Sequence, residues 1–211
     1  MPKGSKELTE ARREEIIDAC AGLYETMSFR DITIRDIGNE TSFTRTSIYN
    51  YFRTKEEIFL ALLQREHEAW ACDITRFTES AETATAEEFA SAMAEILEKR
   101  ECMLKLMSMN IYDMEVNSRL ENLVEFKRAY AVSLRAVEDA LKKFFPSMND
   151  GDRQDFVYGL FPFMFGVYPY SHHTEKQTKA MEIAGISLDS RTIKGLVQPF
   201  ILKMLKAELI I

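Results

Sequence analysis

The chain has 211 residues, of which 46% are apolar and 29% charged, and a formal net charge of −7. This is enough apolar material to bury a full core, which excludes an intrinsically disordered chain, and the sequence holds no run of about eighteen apolar residues that would cross a membrane. The opening MPKGSKELTEARREE lacks the apolar stretch of a secretion signal, so the expected location is cytoplasmic.

Taken in chain order, the first signal is an amphipathic helix over residues 10–27, where Ile16, Ala19, Cys20, Leu23, Tyr24 and Met27 recur at helical spacing. Ser28 and Phe29 interrupt it. Thr33 is placed to cap a short second helix with Ile34 and Ile37 inward, and Thr41, Ser42 and Phe43 make the next turn. Thr44 can cap a third helix. In that helix Ile48 and Phe52, four positions apart, face inward and leave Arg45, Thr46, Tyr49 and Asn50 on the free side.

Lys55, Glu56 and Glu57 open a long fourth helix, whose first-turn acids suit its dipole and whose stripe runs through Phe59, Leu62, Leu63, Trp70, Ile74 and Phe77. Residues 80–85 are small and polar, a linker, and 86–100 are helical again, with further helical pieces over 103–109. The longest pattern covers 120–145 and stops at Pro146. Residues 152–171 are apolar nearly all round, which predicts burial on more than one side, and a last helix capped by Asp189 or Ser190 runs towards Ile210. Pro162 and Pro199 are expected to kink or divide these two helices. Period-two alternation is absent, so the expected fold is all-α with about nine helices. The one plausible division falls near Lys55, giving domains 1–55 and 56–211.

An acidic protein is a poor partner for phosphates unless its charge is unevenly placed. Residues 1–55 hold nine Lys and Arg against nine acids, so the whole acid excess lies after them, and 41–55 contain Arg45, Arg53 and Lys55 with no acid. Two short helices joined by a tight turn, the second carrying small polar and basic residues on its free face, match what reading a DNA major groove requires. An ordinary helical hairpin has the same periodicity.

The run TIRDIGNETSFTRTSIYNYFRTKEEIFLALL resembles the DNA-binding segment of the TetR family of transcription regulators, through Thr33, Ile37, Ile48, Tyr49, Tyr51, Phe52, Lys55 and Glu56 in order and spacing. The resemblance extends back through the first helix and covers roughly the first quarter of the chain. It departs at Met27 and Ser28 and at Ser42, where the family usually has glycine, and both turns are expected to be strained or reshaped. The resemblance implies a helix-turn-helix domain in 1–55, with Thr33, Tyr49 and Lys55 on phosphates. Arg45, Thr46, Ser47 and Asn50 then face bases or adjacent phosphates, Arg45 suiting guanine because its fork meets two acceptors on one base edge. Thr44 is either a contact or only a cap. Tyr51 and Phe52 are expected as core anchors.

By the same resemblance, 56–211 form an effector-binding and dimerisation domain, with 152–171 and 190–210 as the interface of a homodimer that reads a pseudo-palindromic operator in double-stranded DNA. The implied role is a repressor released by a small-molecule effector. Trp70, Phe77, Met103, Met107, Tyr112, Phe126, Tyr130, Phe163 and Tyr168 could line an apolar cavity for a lipophilic effector, though each taken singly suits ordinary core better. Cys20, Cys72 and Cys102 are expected as buried free thiols, and His172 and His173 as a loop pair with no metal. No catalytic pair, phosphate-cradling glycine loop or cofactor motif is present, so no cofactor and no enzyme are expected. The competing reading is a DNA-binding structural or partner-recruiting protein without a small ligand.

Overall fold

The computed structural model describes residues 3–187 and 191–209. Its described residues form ten α-helices and no strand: α1 (Lys3–Thr26), α2 (Ile34–Asn39), α3 (Arg45–Ile48), α4 (Lys55–Ser80), α5 (Ala86–Glu98), α6 (Glu101–Val116), α7 (Leu120–Phe144), α8 (Asp150–Ser171), α9 (Glu175–Ile183) and α10 (Ile193–Leu209). The all-α expectation holds.

The additional helix is α9, which has no buried residue and therefore no apolar stripe to find. Its ends are nevertheless well marked. Thr174 and Gln177 form a reciprocal capping box. At the other end Gly185 takes φ +69°, the Gly185 N–H donates to the Glu182 carbonyl and the Ile186 N–H to that of Met181, which closes the helix as a Schellman motif.

Helices α8 and α10 run unbroken through Pro162 and Pro199. Each proline removes a single donor, and buried neighbours such as Leu160, Phe161, Val197 and Ile201 anchor the helix on both sides of the gap. The caps expected at Asp189 and Ser190 lie outside the described residues. Thr192 supplies a cap, its hydroxyl accepting the Gly195 N–H at 3.0 Å.

The chain divides into two compact units. The first comprises residues up to 65 together with 110–129, the second 66–109 and residues from 130 onward. In the first unit, Ile16, Cys20 and Tyr24 of α1, Ile37 of α2, Ile48 of α3 and Phe52 beyond it make one core with Phe59 and Leu63 of α4, all of them buried. Tyr24 and Phe29 both pack on the Phe59 ring, with centroids 5.3 and 4.7 Å away. Arg65 ties α4 to α1 through Asp18 and Glu14 at 2.5 and 3.3 Å.

In the second unit α10 packs between α5 and α8. Phe163 of α8 stacks on Phe200 of α10 with centroids 3.8 Å apart, and Phe77, Phe89, Phe144 and Phe156 form an aromatic cluster. Helix α8 buries Phe156, Val157, Leu160, Phe161, Met164 and Val167 but leaves Tyr158, Phe165 and Tyr170 exposed, so within one chain it is covered on one side only. Of the cysteines, Cys20 is buried and Cys102 half-buried. Cys72 corrects the expectation of a buried thiol: it lies on the exposed face of α4, beside the Arg76 guanidinium at 3.6 Å.

Candidate nucleic-acid interface

The segment over residues 33–55 is held by one capping box, at Thr33, and by the buried side chains of Ile37, Ile48 and Phe52. Thr33 starts α2 with a capping box: its hydroxyl accepts from the Asp36 N–H at 3.3 Å, and the Asp36 carboxylate takes both the Thr33 N–H and its hydroxyl at 2.9 and 2.5 Å. The Thr33 hydroxyl, followed by its backbone N–H, holds the Asp36 carboxyl below its ordinary value.

The turn from α2 into α3 takes no left-handed residue. Among the described residues only Gly185 has positive φ, so Ser42 and the Met27–Ser28 turn are unstrained without the family's glycines. Ser42 gains a partner instead, its N–H and hydroxyl both donating to the Glu15 carboxylate. Ser28 closes its own turn through Asp31 at 2.6 Å.

Helix α3 is only four residues long, but the backbone continues to turn: the Asn50 N–H donates to Ser47, and the Tyr51 and Phe52 N–H groups to Ile48, at 2.9–3.1 Å. Ile48 and Phe52 are buried on one side of this run. On the other side Thr46, Tyr49 and Asn50 are exposed, Tyr49 by 45%, and Ser47 is half-buried. Thr44 makes no side-chain cap bond and sits 3.2 Å from the Ser47 hydroxyl. Arg45 opens α3, and its side chain lies outside those described.

Lys55 is placed differently from the rest. Its ammonium points into the turn between α1 and α2, donating to the carbonyls of Phe29, Ile32 and Arg30 at 2.7, 3.1 and 3.3 Å. Two residues on, the buried Glu57 carboxylate pairs with Arg119, which lies just before α7. This pair has no signature in the local sequence pattern.

The residues expected around a pocket are dispersed. Tyr112 and Phe126 belong to the first unit, Tyr112 being 78% exposed and Phe126 buried. In the second unit Trp70, Met103 and Met107 are buried, Phe77 joins the aromatic cluster, Phe163 stacks on Phe200, and Tyr168 stacks on His172 at 4.5 Å. Burial, and then the acid of Glu101, push the Tyr168 phenol up. Only Tyr130 of the nine lines the 550 Å³ cavity between α7 and α8, together with Leu134, Glu138, Gln154, Val157, Tyr158, Phe161, Pro162 and Phe165. Trp70 lies behind that wall, its ring 5.5 Å from Phe161. His172 ends α8 and faces Glu101 at 3.3 Å. Among the described residues no group of three or more His, Cys, Asp or Glu is arranged to hold a metal ion.

Two family models match the chain: one described as bacterial regulatory proteins, tetR family, over residues 16–62, and one described as tetracyclin repressor-like, C-terminal domain, over residues 64–201. An uncharacterized HTH-type transcriptional regulator of Bacillus subtilis, YfiR, is 32% identical over 63 residues, 30% of this chain and 31% of that protein. The chain therefore spans about a third of that curated relative's length. Solved structures match nearly end to end. The fatty acid degradation regulator FadR of Bacillus halodurans superposes with a TM-score of 0.60 at 14% identity, over 92% of this chain and 94% of that one. FadR of Bacillus subtilis, solved in complex with stearoyl-CoA, gives 0.59 at 16% identity, over 91% and 96%. At these identities the likeness is one of fold.

Proposed function

The chain belongs to the TetR family of bacterial regulatory proteins, a transcription regulator with a DNA-binding helix-turn-helix, and from that premise we propose that it is a homodimeric, effector-released repressor of a pseudo-palindromic operator. The observation that carries the DNA half is the split of the α3 segment into a buried side, Ile48 and Phe52, and an exposed polar side, Thr46, Tyr49 and Asn50. Such a segment presents donors and acceptors on a rigid support.

We assign Arg45, Thr46, Ser47 and Asn50 to bases or adjacent phosphates, and Thr33, Thr44 and Tyr49 to the backbone. Lys55 is assigned to positioning, in preference to a direct phosphate contact, because its donors already serve three carbonyls. The division of labour follows the chain: 1–55 bind DNA and 56–211 sense and dimerise. The site of action is the cytoplasm.

The dimer reading is supported by the stripe of Tyr158, Pro162 and Phe165 on α8, three and four residues apart, with Tyr158 75% and Phe165 37% exposed. The effector reading is supported by the 550 Å³ cavity, within the size range of small-molecule sites and walled mainly by aromatic and aliphatic side chains; Tyr158, Pro162 and Phe165 stand on its wall as well, so in this reading the cavity lies at the subunit interface. A long-chain acyl group suits such a wall, and stearoyl-CoA is the ligand of the structurally similar FadR of Bacillus subtilis. The test is operator binding with and without long-chain acyl-CoA. A fall in operator affinity supports the reading, and an unchanged affinity across acyl chains of every length ends it.

A further inference from the structure

Glu57 is the one acidic residue among those described whose side chain is fully buried, at 1% exposure. A carboxylate taken out of water persists as an anion only where its lone pairs are filled. Here four donors fill them. Oε1 accepts from Arg119 Nε at 2.6 Å and from the Arg119 backbone N–H at 3.2 Å. Oε2 accepts from Arg119 Nη2 at 2.9 Å and from the Arg53 backbone N–H at 2.7 Å.

The same few residues carry three more bonds. Arg119 Nη2 reaches the Tyr51 carbonyl at 3.5 Å. Thr54 Oγ1 donates to the Asn117 carbonyl and accepts the Glu57 N–H, each at 3.2 Å. The turn between α6 and α7, residues 117–119, thus holds the Tyr51 carbonyl and the Thr54 hydroxyl directly and the Arg53 N–H through Glu57, on both sides of the Phe52 anchor.

Fold stability alone does not call for this arrangement, since an apolar pair of similar volume in such a place is commonly as stable or more so. What a fork-on-fork pair adds is direction, because both partners are planar and both bonds must form together. We propose that Arg119 and Glu57 are positioning residues for DNA reading: through Glu57, the α6–α7 turn sets the orientation in which Tyr49 and Asn50 are presented. The proposal rests on the assignment of α3 to DNA contact.

The experiment uses the full chain and a duplex selected from a random pool by the wild type. Two quantities are compared for the wild type, Arg119→Ala, Arg119→Gln and Arg119→Lys: the affinity ratio for the selected over a scrambled duplex, and amide hydrogen exchange at residues 50–55. Arg119→Ala is expected to lower the ratio by about tenfold or more and to speed exchange at 50–55, while the α1 core amides at 16–24 stay protected. Arg119→Lys, which keeps the charge without the fork, restores part of both.

A folded Arg119→Ala whose ratio stays within about twofold of wild type, with exchange at 50–55 unchanged, overturns the proposal and leaves the pair a stability element. If Arg119→Ala does not fold, Arg119→Gln, which keeps part of the stem and one amide donor group, decides by the same two readings. Should the wild type select no sequence at all, the DNA-contact assignment fails, and exchange at 50–55 alone decides the strap.

Discussion

The ammonium of Lys55 lies 2.7 Å from the carbonyl oxygen of Phe29 and 4.7 Å from the centre of the same residue's ring. With the Ile32 and Arg30 carbonyls, this gives the three N–H donors three acceptors in a turn whose carbonyls no helix satisfies. Lys55→Met keeps the stem over the ring and removes the donors. The expected loss of unfolding free energy is about 1.5–3 kcal/mol, the range for hydrogen bonds to a charged group, read by urea denaturation. DNA affinity should fall on all sequences alike, with the salt dependence unchanged. A slope of log affinity against log salt that drops by about one unit would instead place the ammonium on a phosphate.

Tyr49 and Asn50 stand side by side on the exposed edge of the α3 segment but are assigned different tasks. Tyr49→Phe removes one hydroxyl and should weaken selected and scrambled duplexes equally, by about 1 kcal/mol. Asn50→Ala and Arg45→Ala should instead flatten the preference at particular base pairs, costing about 1–3 kcal/mol on the selected site and little on scrambled DNA. Anisotropy titrations against singly substituted duplexes separate the two patterns.

Burial alone would push the Glu57 carboxyl up; the Arg119 side chain, then the Arg53 and Arg119 backbone N–H groups, outweigh it and hold the carboxyl below its ordinary value. A carboxyl whose folded pKa is depressed binds its proton more readily unfolded. Its stabilising contribution is therefore complete above the unfolded value of about 4.3 and is lost as pH falls through the folded one. Asp36, Glu88, Glu95 and Asp150 are also held low by their own hydrogen bonds and ion pairs, so the wild type should lose stability below about pH 4 by several routes. The difference between wild type and Glu57→Gln isolates the share of Glu57. The variant should melt lower at pH 7 and lose less on acidification, and parallel melting curves across that range would remove Glu57 from the acid response.

Tyr158 is three-quarters exposed on a face of α8 shared with Pro162 and Phe165. If that stripe is the subunit interface, Tyr158→Glu places a carboxylate at its centre and should raise the dimer dissociation constant by at least about 2 kcal/mol equivalent, as for a central interface side chain. Sedimentation equilibrium reads this directly. A variant as dimeric as the wild type would move the interface elsewhere.

The first 55 residues were the most legible, because there the periodicity of Ile16, Cys20, Ile37, Ile48 and Phe52 coincides with burial, and Thr33 caps α2 while Thr44 immediately precedes α3 without a side-chain cap bond. Helix α9 escaped because the stripe it lacks was the signal sought; its Thr174–Gln177 box was the available cue. The Glu57–Arg119 pair spans 62 positions and leaves no trace in either local pattern. Lys55 shows a further limit, since sequence spacing locates a cation without saying whether its long stem turns outward or in. The cavity was hardest to foresee. An aromatic residue on a helix has the same spacing whether it fills the core, as Phe126 does, borders a cavity, as Tyr130 does, or stands in solvent, as Tyr112 does.

The most direct test of the whole account is selection of bound duplexes from a random pool by the intact chain. A homodimeric helix-turn-helix regulator should enrich two inverted half-sites whose centres lie about one helical turn, or a multiple of it, apart. A pool that remains random after repeated rounds, or one enriched only in a single unrepeated site, would contradict it.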